Sequence, residues 1–320
     1  MKTLNVNWKK AILFCFVMSL FLACDKSSEP MGKGEVEFQI TDAPSDDASV
    51  KGVFVTIADL KVDGKSISGF TKQTIDLKAY QEGKTKLLGT SQLSAKSYSN
   101  LTLILDADKD ANGNAPGCYV LTTDDAKYKL RSSGNVEVVL NKGWSVIANS
   151  KSTIIMDFDL RKSIQTMADP SIRYNFVSND NLKAAIRLMS KDKVGTINGS
   201  YSEQANSNAD KIIVYAYKKG TFNASTETQS QGDGGIFFKN SDASAEVKQG
   251  LTNKTFTLAF LEEGDYELHF AAYKKDLATN RFVFQTMLKS ETSANGSAGN
   301  FITVQSGITI TLSSTITGTI

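Results

Sequence analysis

The chain has 320 residues, a formal net charge of +2, 22% charged residues and 41% hydrophobic ones. That balance lacks the strong basic bias a nucleic-acid partner requires, and the length accommodates two ordinary domains. The single histidine, His269, excludes His-rich zinc motifs such as HExxH and leaves any Ser-His-Asp or Cys-His set only one residue to build on.

The first elements are those of a leader. Lys2, Lys9 and Lys10 precede an unbroken apolar run over residues 11–22. A short basic segment followed by such a run has the form of a secretory signal peptide. It is too short for a membrane span, which needs roughly 20 residues. The run ends Phe21-Leu22-Ala23-Cys24, which resembles the bacterial lipobox, with Phe21 where an aliphatic residue is usual. That resemblance implies a leader over 1–23, cleavage before Cys24 and acyl chains on its thiol and amino group. Plain secretion with cleavage near Ala23, or a buried structural role for Cys24, is the competing reading. Several acyl chains, at about 0.8 kcal/mol per buried methylene, anchor stably. Residues 24–33 are polar and read as a tether. The expected location is the outer membrane, on either face, with no nucleic-acid partner and the oligomeric state open. Loss of the three leader lysines takes the charge from +2 to near −1.

Cys15 leaves with the leader and Cys24 goes to lipid, so only Cys118 remains and no intramolecular disulfide forms. Stability must then come from apolar cores, and Cys118 reads as a small core residue.

Beyond the tether the dominant period is two. Val36, Phe38 and Ile40 alternate with Glu35, Glu37 and Gln39. Similar runs surround Val53, Leu103, Val138, Ile155, Val214, Leu258, Phe282 and Ile310, separated by Gly, Asn, Asp and Ser clusters. This pattern predicts antiparallel sheets with one buried face each. A short helix is expected after Asp159, through Leu160 and Ile164, and residues 182–188 read as a closing strand. The fold class is therefore all-β: two tandem antiparallel β-sandwiches, prealbumin-like or Ig-like, over 34–190 and 193–320. A weak echo links them. Tyr98 and Tyr266 each follow a tight turn and open an alternating strand, each placed to pack its ring while its hydroxyl stays wet.

Three stretches of the first domain resemble an uncharacterised family of bacterial lipoprotein domains. They are the strand from Gly34 into Thr41-Asp42-Ala43-Pro44, Ile75-Asp76-Leu77 with the later strand through Leu105, and Asp157-Phe158-Asp159-Leu160-Arg161-Lys162-Ser163-Ile164 with Ala185-Ile186-Arg187. The resemblance implies an exported β-domain and supplies no chemistry. The second domain resembles prealbumin-like modules of the carboxypeptidase-regulatory kind, through residues 195–199, 213–216 and 256–268. Such modules are structural or binding units.

Candidate chemistry is sparse. Asp106, Asp108, Asp110 and Asn112 place oxygens at alternate positions, which suits Ca²⁺. Ala111 and Gly117 depart from an EF-hand loop, and the other reading is a polar hairpin loop. Asp157 and Asp159 share one face as a carboxylate pair for glycoside hydrolysis, or Asp159 caps the short helix. Asp42 reads as a turn residue. His269 falls with Glu267 on a solvated face. Trp144, Tyr217 and Phe222 are either glycan-stacking aromatics or core. No catalytic set is assigned. The expected function is a non-enzymatic envelope lipoprotein that binds a glycan or an envelope protein, or alternatively a structural subunit of a fimbria-like assembly.

Overall fold

The computed structural model describes residues 32–43, 47–130, 134–167, 169–232, 235–249, 253–294, 297–299 and 301–320. The leader and Cys24 lie outside the described residues. The first fifteen strands are β1 (Lys33–Ala43), β2 (Val50–Val62), β3 (Lys65–Ser66), β4 (Gln73–Asp76), β5 (Lys86–Ser94), β6 (Ser97–Tyr98), β7 (Leu101–Asp106), β8 (Tyr119–Thr122), β9 (Lys127–Lys129), β10 (Asn135–Leu140), β11 (Trp144–Ser145), β12 (Lys151–Asp159), β13 (Ile164–Thr166), β14 (Tyr174–Phe176) and β15 (Ile186–Ser190). Ten more follow: β16 (Val194–Glu203), β17 (Lys211–Lys218), β18 (Ala243–Glu246), β19 (Lys248–Gln249), β20 (Lys254–Glu262), β21 (Gly264–Asp276), β22 (Arg281–Ala294), β23 (Ser297–Ala298), β24 (Ile302–Val304) and β25 (Thr309–Thr319).

The first half is a sandwich. One sheet runs β15-β12-β1-β5; the other runs β10-β7-β2-β8-β9, with β3 and β4 on β2. In β1 the alternation works as read: Val36, Phe38 and Ile40 are buried, while Glu35 and Glu37 turn outward to Lys151. Phe38, Ile40, Ile57, Leu60, Leu103 and Phe158 fill the space between the sheets. Each such side chain contributes roughly 1.5–3 kcal/mol on burial.

In the second half one ten-stranded sheet, β18-β17-β21-β22-β25-β16-β20-β19, carries β24 on β21 and β23 on β22. It curls until β18 packs beside β20, enclosing Ile197, Val214, Phe256, Leu258, Phe270 and Ile316. The all-β, two-sandwich class holds. Each half adds one parallel pairing to its antiparallel ladder: β1 with β12, and β16 with β25.

Two strand readings are corrected. Residues 179–185 form a helix, Asn179–Ala185, and only then does β15 begin. Leu182 and Ala185, three apart, are its buried face, a spacing that fits a helix and would put them on opposite faces of a strand. β17 is buried on both faces. Ile213, Tyr215 and Tyr217 meet a second apolar cluster built with Phe238, Ala271 and Tyr273 from the segment after β17 and from β21.

The tyrosine echo is architectural. Tyr98 donates to the Ser94 carbonyl and Tyr266 to the Glu262 carbonyl, each at 2.9 Å and each four residues upstream. Their hydroxyls are therefore bonded rather than wet, as in the tyrosine corner of β-sandwiches.

Candidate functional site

The sheet register places three chemistry-bearing segments side by side. Thr41 lies opposite Asp157 and Ala43 opposite Asp159 across the β1–β12 pairing. Asp157 in turn faces Arg187 across β12–β15. Together they form one end of the first sheet, against the second domain.

Asp42 lies inside this end, at the close of β1, and is 5% exposed. It is a strand residue rather than the turn residue expected. Its Oδ1 accepts from the Leu160 N–H at 3.2 Å and its Oδ2 from Gln81 Nε2 at 2.9 Å. Burial pushes its carboxyl well above the ordinary carboxylate range, and the charges of Asp159 and Asp157 add to that rise. Asp159 is buried too. Burial alone would raise it, but Arg161 and Lys162 outweigh that cost and hold it below its usual value. Asp159 also caps the helix Leu160–Ser163, accepting from the Arg161 N–H at 3.1 Å. Asp157 accepts from Nε of Arg187 at 3.1 Å, and Nη2 of Arg187 donates to the same oxygen. The Asp157–Asp159 pair is thus committed to an arginine and a helix cap, not aimed together into a sugar-sized cleft.

From this cluster two cations cross to the second domain. The Arg161 side chain, 2% exposed, donates from Nη1 to the Phe237 carbonyl at 2.8 Å and lies over the Tyr215 ring at 5.0 Å. Lys162 donates to the Ser241 carbonyl at 2.8 Å. Ile155, Met189, Val194 and Phe260 form an apolar patch beside them. Lys248–Glu82 at 2.6 Å and Lys142–Glu262 pair across the rim. Sequence reasoning missed Arg161, Lys162 and Arg187 as junction residues. Their one legible signal is that charged side chains interrupt otherwise apolar stretches.

Two openings flank Arg187. A cavity of about 30 Å³, bounded by Thr41, Asp42, Asp157, Ser244 and Glu246, has the volume of one water. On the other side an open cleft of about 440 Å³ runs between the end of β10, the helix Asn179–Ala185, β15 and the second domain's Asp242, Glu262 and Tyr266.

The other predicted residues sit elsewhere. Asp106, Asp108, Asp110 and Asn112 share the loop after β7, but each carboxylate has its own partner. Asp106 accepts from the N–H groups of Asp108 and Lys109 and from Lys72, and Asp108 pairs with Lys129. Asp110 accepts from the N–H groups of Asn112 and Asn114. Among the described residues no group of three or more His, Cys, Asp or Glu is gathered as a metal would need. Cys118 is fully buried, with its thiol pushed up to about 12 by burial. Trp144 stacks on Tyr98 at 4.7 Å inside the core, and Tyr217 is buried with its hydroxyl on Glu227 at 2.6 Å. Neither offers a ring to a glycan. His269 is corrected as well: Phe222 stacks on it at 3.7 Å, its side chain is 22% exposed, and burial lowers its pKa.

Residues 33–177 match a family model described as a domain of unknown function (DUF4382). That span contains Thr41 to Ala43 of β1 and the Asp157–Ile164 segment. The chain is similar to a leucine-rich repeat protein from Bacteroides thetaiotaomicron (11% identity, TM-score 0.22), covering 88% of this chain and 26% of that one. It is similar to the Bacillus anthracis TIE protein (11%, TM-score 0.18), covering 89% and 34%. It is also similar to GBS52, the minor pilin of Streptococcus agalactiae (10%, TM-score 0.21), covering 88% and 94%. The chain thus spans about a third or less of the first two. TM-scores this low define no shared fold. Among curated proteins nothing matches, and among the described residues no helix is long and apolar enough to cross a membrane.

Proposed function

We propose that the chain is a non-enzymatic envelope lipoprotein, tied by acyl chains on Cys24 to the outer membrane, whose two β-domains hold a glycan or an envelope protein. The observation that supports binding over catalysis is how the junction uses its charges. Asp157 is spent on Arg187, and Asp159, Arg161 and Lys162 on one another and on the second domain, while a 440 Å³ cleft beside them stays open. Clefts of roughly 300–1,000 Å³ at domain interfaces are common ligand sites.

Mass spectrometry of the native product tests the anchor: an acylated amino-terminal peptide beginning at Cys24 is expected, and an intact leader or a bare thiol there defeats it. A Cys24→Ser protein, secreted without lipid, tests the rest. It should retain material from envelope glycan or envelope-protein fractions; retention from neither rejects the binding reading.

The structural-subunit reading has one feature of its own. β25, the last strand of the sequence, sits inside the sheet between β22 and β16, burying Leu312, Ser314 and Ile316. A strand so placed is the kind that copies exchange when subunits join by strand addition. Detergent-resistant ladders after protease treatment support that reading, and a protein that stays monomeric under the same treatment rejects it.

A further inference from the structure

The chemistry of the cleft narrows its ligand. Its ionisable lining is balanced: Lys142, Lys183 and Arg187 against Asp180, Asp242 and Glu262. Two pairs neutralise themselves, Lys142 with Glu262 and Lys183 with Asp180, the latter at 3.3 Å. A cleft with no net charge gives no field to concentrate an anion or a cation.

What remains among the charged groups is one donor and one acceptor, beside the exposed amide of Asn141. Arg187 uses Nε and Nη2 on Asp157, and its Nη1 has no hydrogen-bond partner among the described residues, although the side chain is 27% exposed. Asp242, from the second domain, uses Oδ2 to accept from the Lys218 N–H at 3.0 Å, while its Oδ1 has no such partner. Leu140, Ile186, Leu188 and Met189 also border the cleft, with their side chains turned into the core and the interdomain patch. A guanidinium beside a carboxylate matches hydroxyl groups, each of which both donates and accepts. Hydrogen bonds to charged groups are roughly twice as strong as neutral ones.

We propose that the cleft between the domains binds a neutral oligosaccharide, with Arg187 Nη1 donating to and Asp242 Oδ1 accepting from its hydroxyls. This rests on the binding function proposed above and names its site and ligand class.

The test is a titration of isotope-labelled Cys24→Ser protein with neutral hexose and N-acetylhexosamine oligomers, followed by backbone amide shifts. Shifts confined to residues 140–142, 186–189 and 242 are expected. Asp242→Asn keeps an oxygen for the Lys218 N–H and should weaken binding by about tenfold or more, with thermal melting showing that the fold is intact. Lys51→Ala, at the far start of β2, should leave affinity unchanged. Arg187 is left in place because its loss strips Asp157 of its partner. Absence of cleft shifts with every saccharide overturns the proposal, as does equal affinity in Asp242→Asn. Movement of the same residues by uncharged peptides instead of saccharides also overturns it. If envelope glycans are still retained while the cleft residues do not move, the site is wrong and the binding function stands. If nothing is retained, both fall.

Discussion

Asp42 is a carboxyl that folding takes out of water and supplies only with neutral donors, the Gln81 amide and the Leu160 N–H. Its folded pKa lies above the ordinary 3.8, so the native state holds the proton more tightly than the unfolded chain. The stability this provides is fully present below pH 3.8 and is lost as pH rises through the folded value. Asp42→Asn mimics the protonated form. It should unfold at higher denaturant than the parent at neutral pH, and the two should converge below pH 3.8. An unchanged or lower midpoint at neutral pH counts against a carboxyl strained by burial. At this scale the sequence was unevenly legible. Cys118 could be placed in the core because a free cysteine most often behaves as a small buried hydrophobe. Asp42 was misread because Asp before Ala-Pro has the local chemistry of a turn, and only the long-range pairing with β12 carries it inside. His269 was misread for a similar reason. Its strand alternates correctly, but the other face is covered by Phe222, from the segment after β17.

The strands were legible because a period of two survives in any sheet with one apolar face. What did not show was where that face doubles or the period changes. β17 is apolar on both sides, and Leu182, Ala184, Ile186 and Leu188 stand at alternate positions, which carries the period of a strand through the helix Asn179–Ala185 into β15. The parallel pairings of β1 and β25 depend on partners more than a hundred residues away, which no local signal encodes. The loop after β7 was ambiguous for another reason: Asp and Asn at alternate positions serve turns and Ca²⁺ equally well. In the fold Asp106 and Asp110 tie their oxygens to backbone N–H groups of the same loop. Gly117, where an EF-hand wants its bidentate Glu, lies so close to the Asp106 and Lys109 carbonyls that a side chain would not fit. The loop is thus expected to keep its shape without metal. Millimolar Ca²⁺ should leave the melting temperature of the Cys24→Ser protein unchanged. A true site in about hundredfold excess of calcium over its Kd would add about 2.7 kcal/mol, which thermal melting would reveal as a rise of several degrees.

The junction joins the two halves through ion pairs, hydrogen bonds and an apolar patch, and these parts should differ in how they respond to salt. Lys142–Glu262 and Lys248–Glu82 have side chains one-third to one-half exposed. Such pairs are worth about 0–1 kcal/mol each and fade as ions screen them. Arg161 is different. Its buried guanidinium satisfies Asp159 on its own side and the Phe237 carbonyl and Ser241 hydroxyl on the other. Removing one partner of a buried pair costs about 3–5 kcal/mol, because the remaining charge is left without compensation. Arg161→Ala takes away the ion pair and the bonds to the second domain together. The parent should therefore unfold in a single calorimetric transition, and should still do so in 1 M salt (where the Debye length is about 3 Å). Arg161→Ala should split that transition in two, with the first domain melting earlier because Asp159 loses its main cation there. Two transitions in the parent would show that the domains are only loosely tethered, and a single unshifted transition in the variant would show that the apolar patch of Ile155, Met189, Val194 and Phe260 couples them without the arginine. Because the cleft beside Arg187 exists only while both domains stay locked, the split in Arg161→Ala should be accompanied by loss of ligand retention at temperatures between the two transitions.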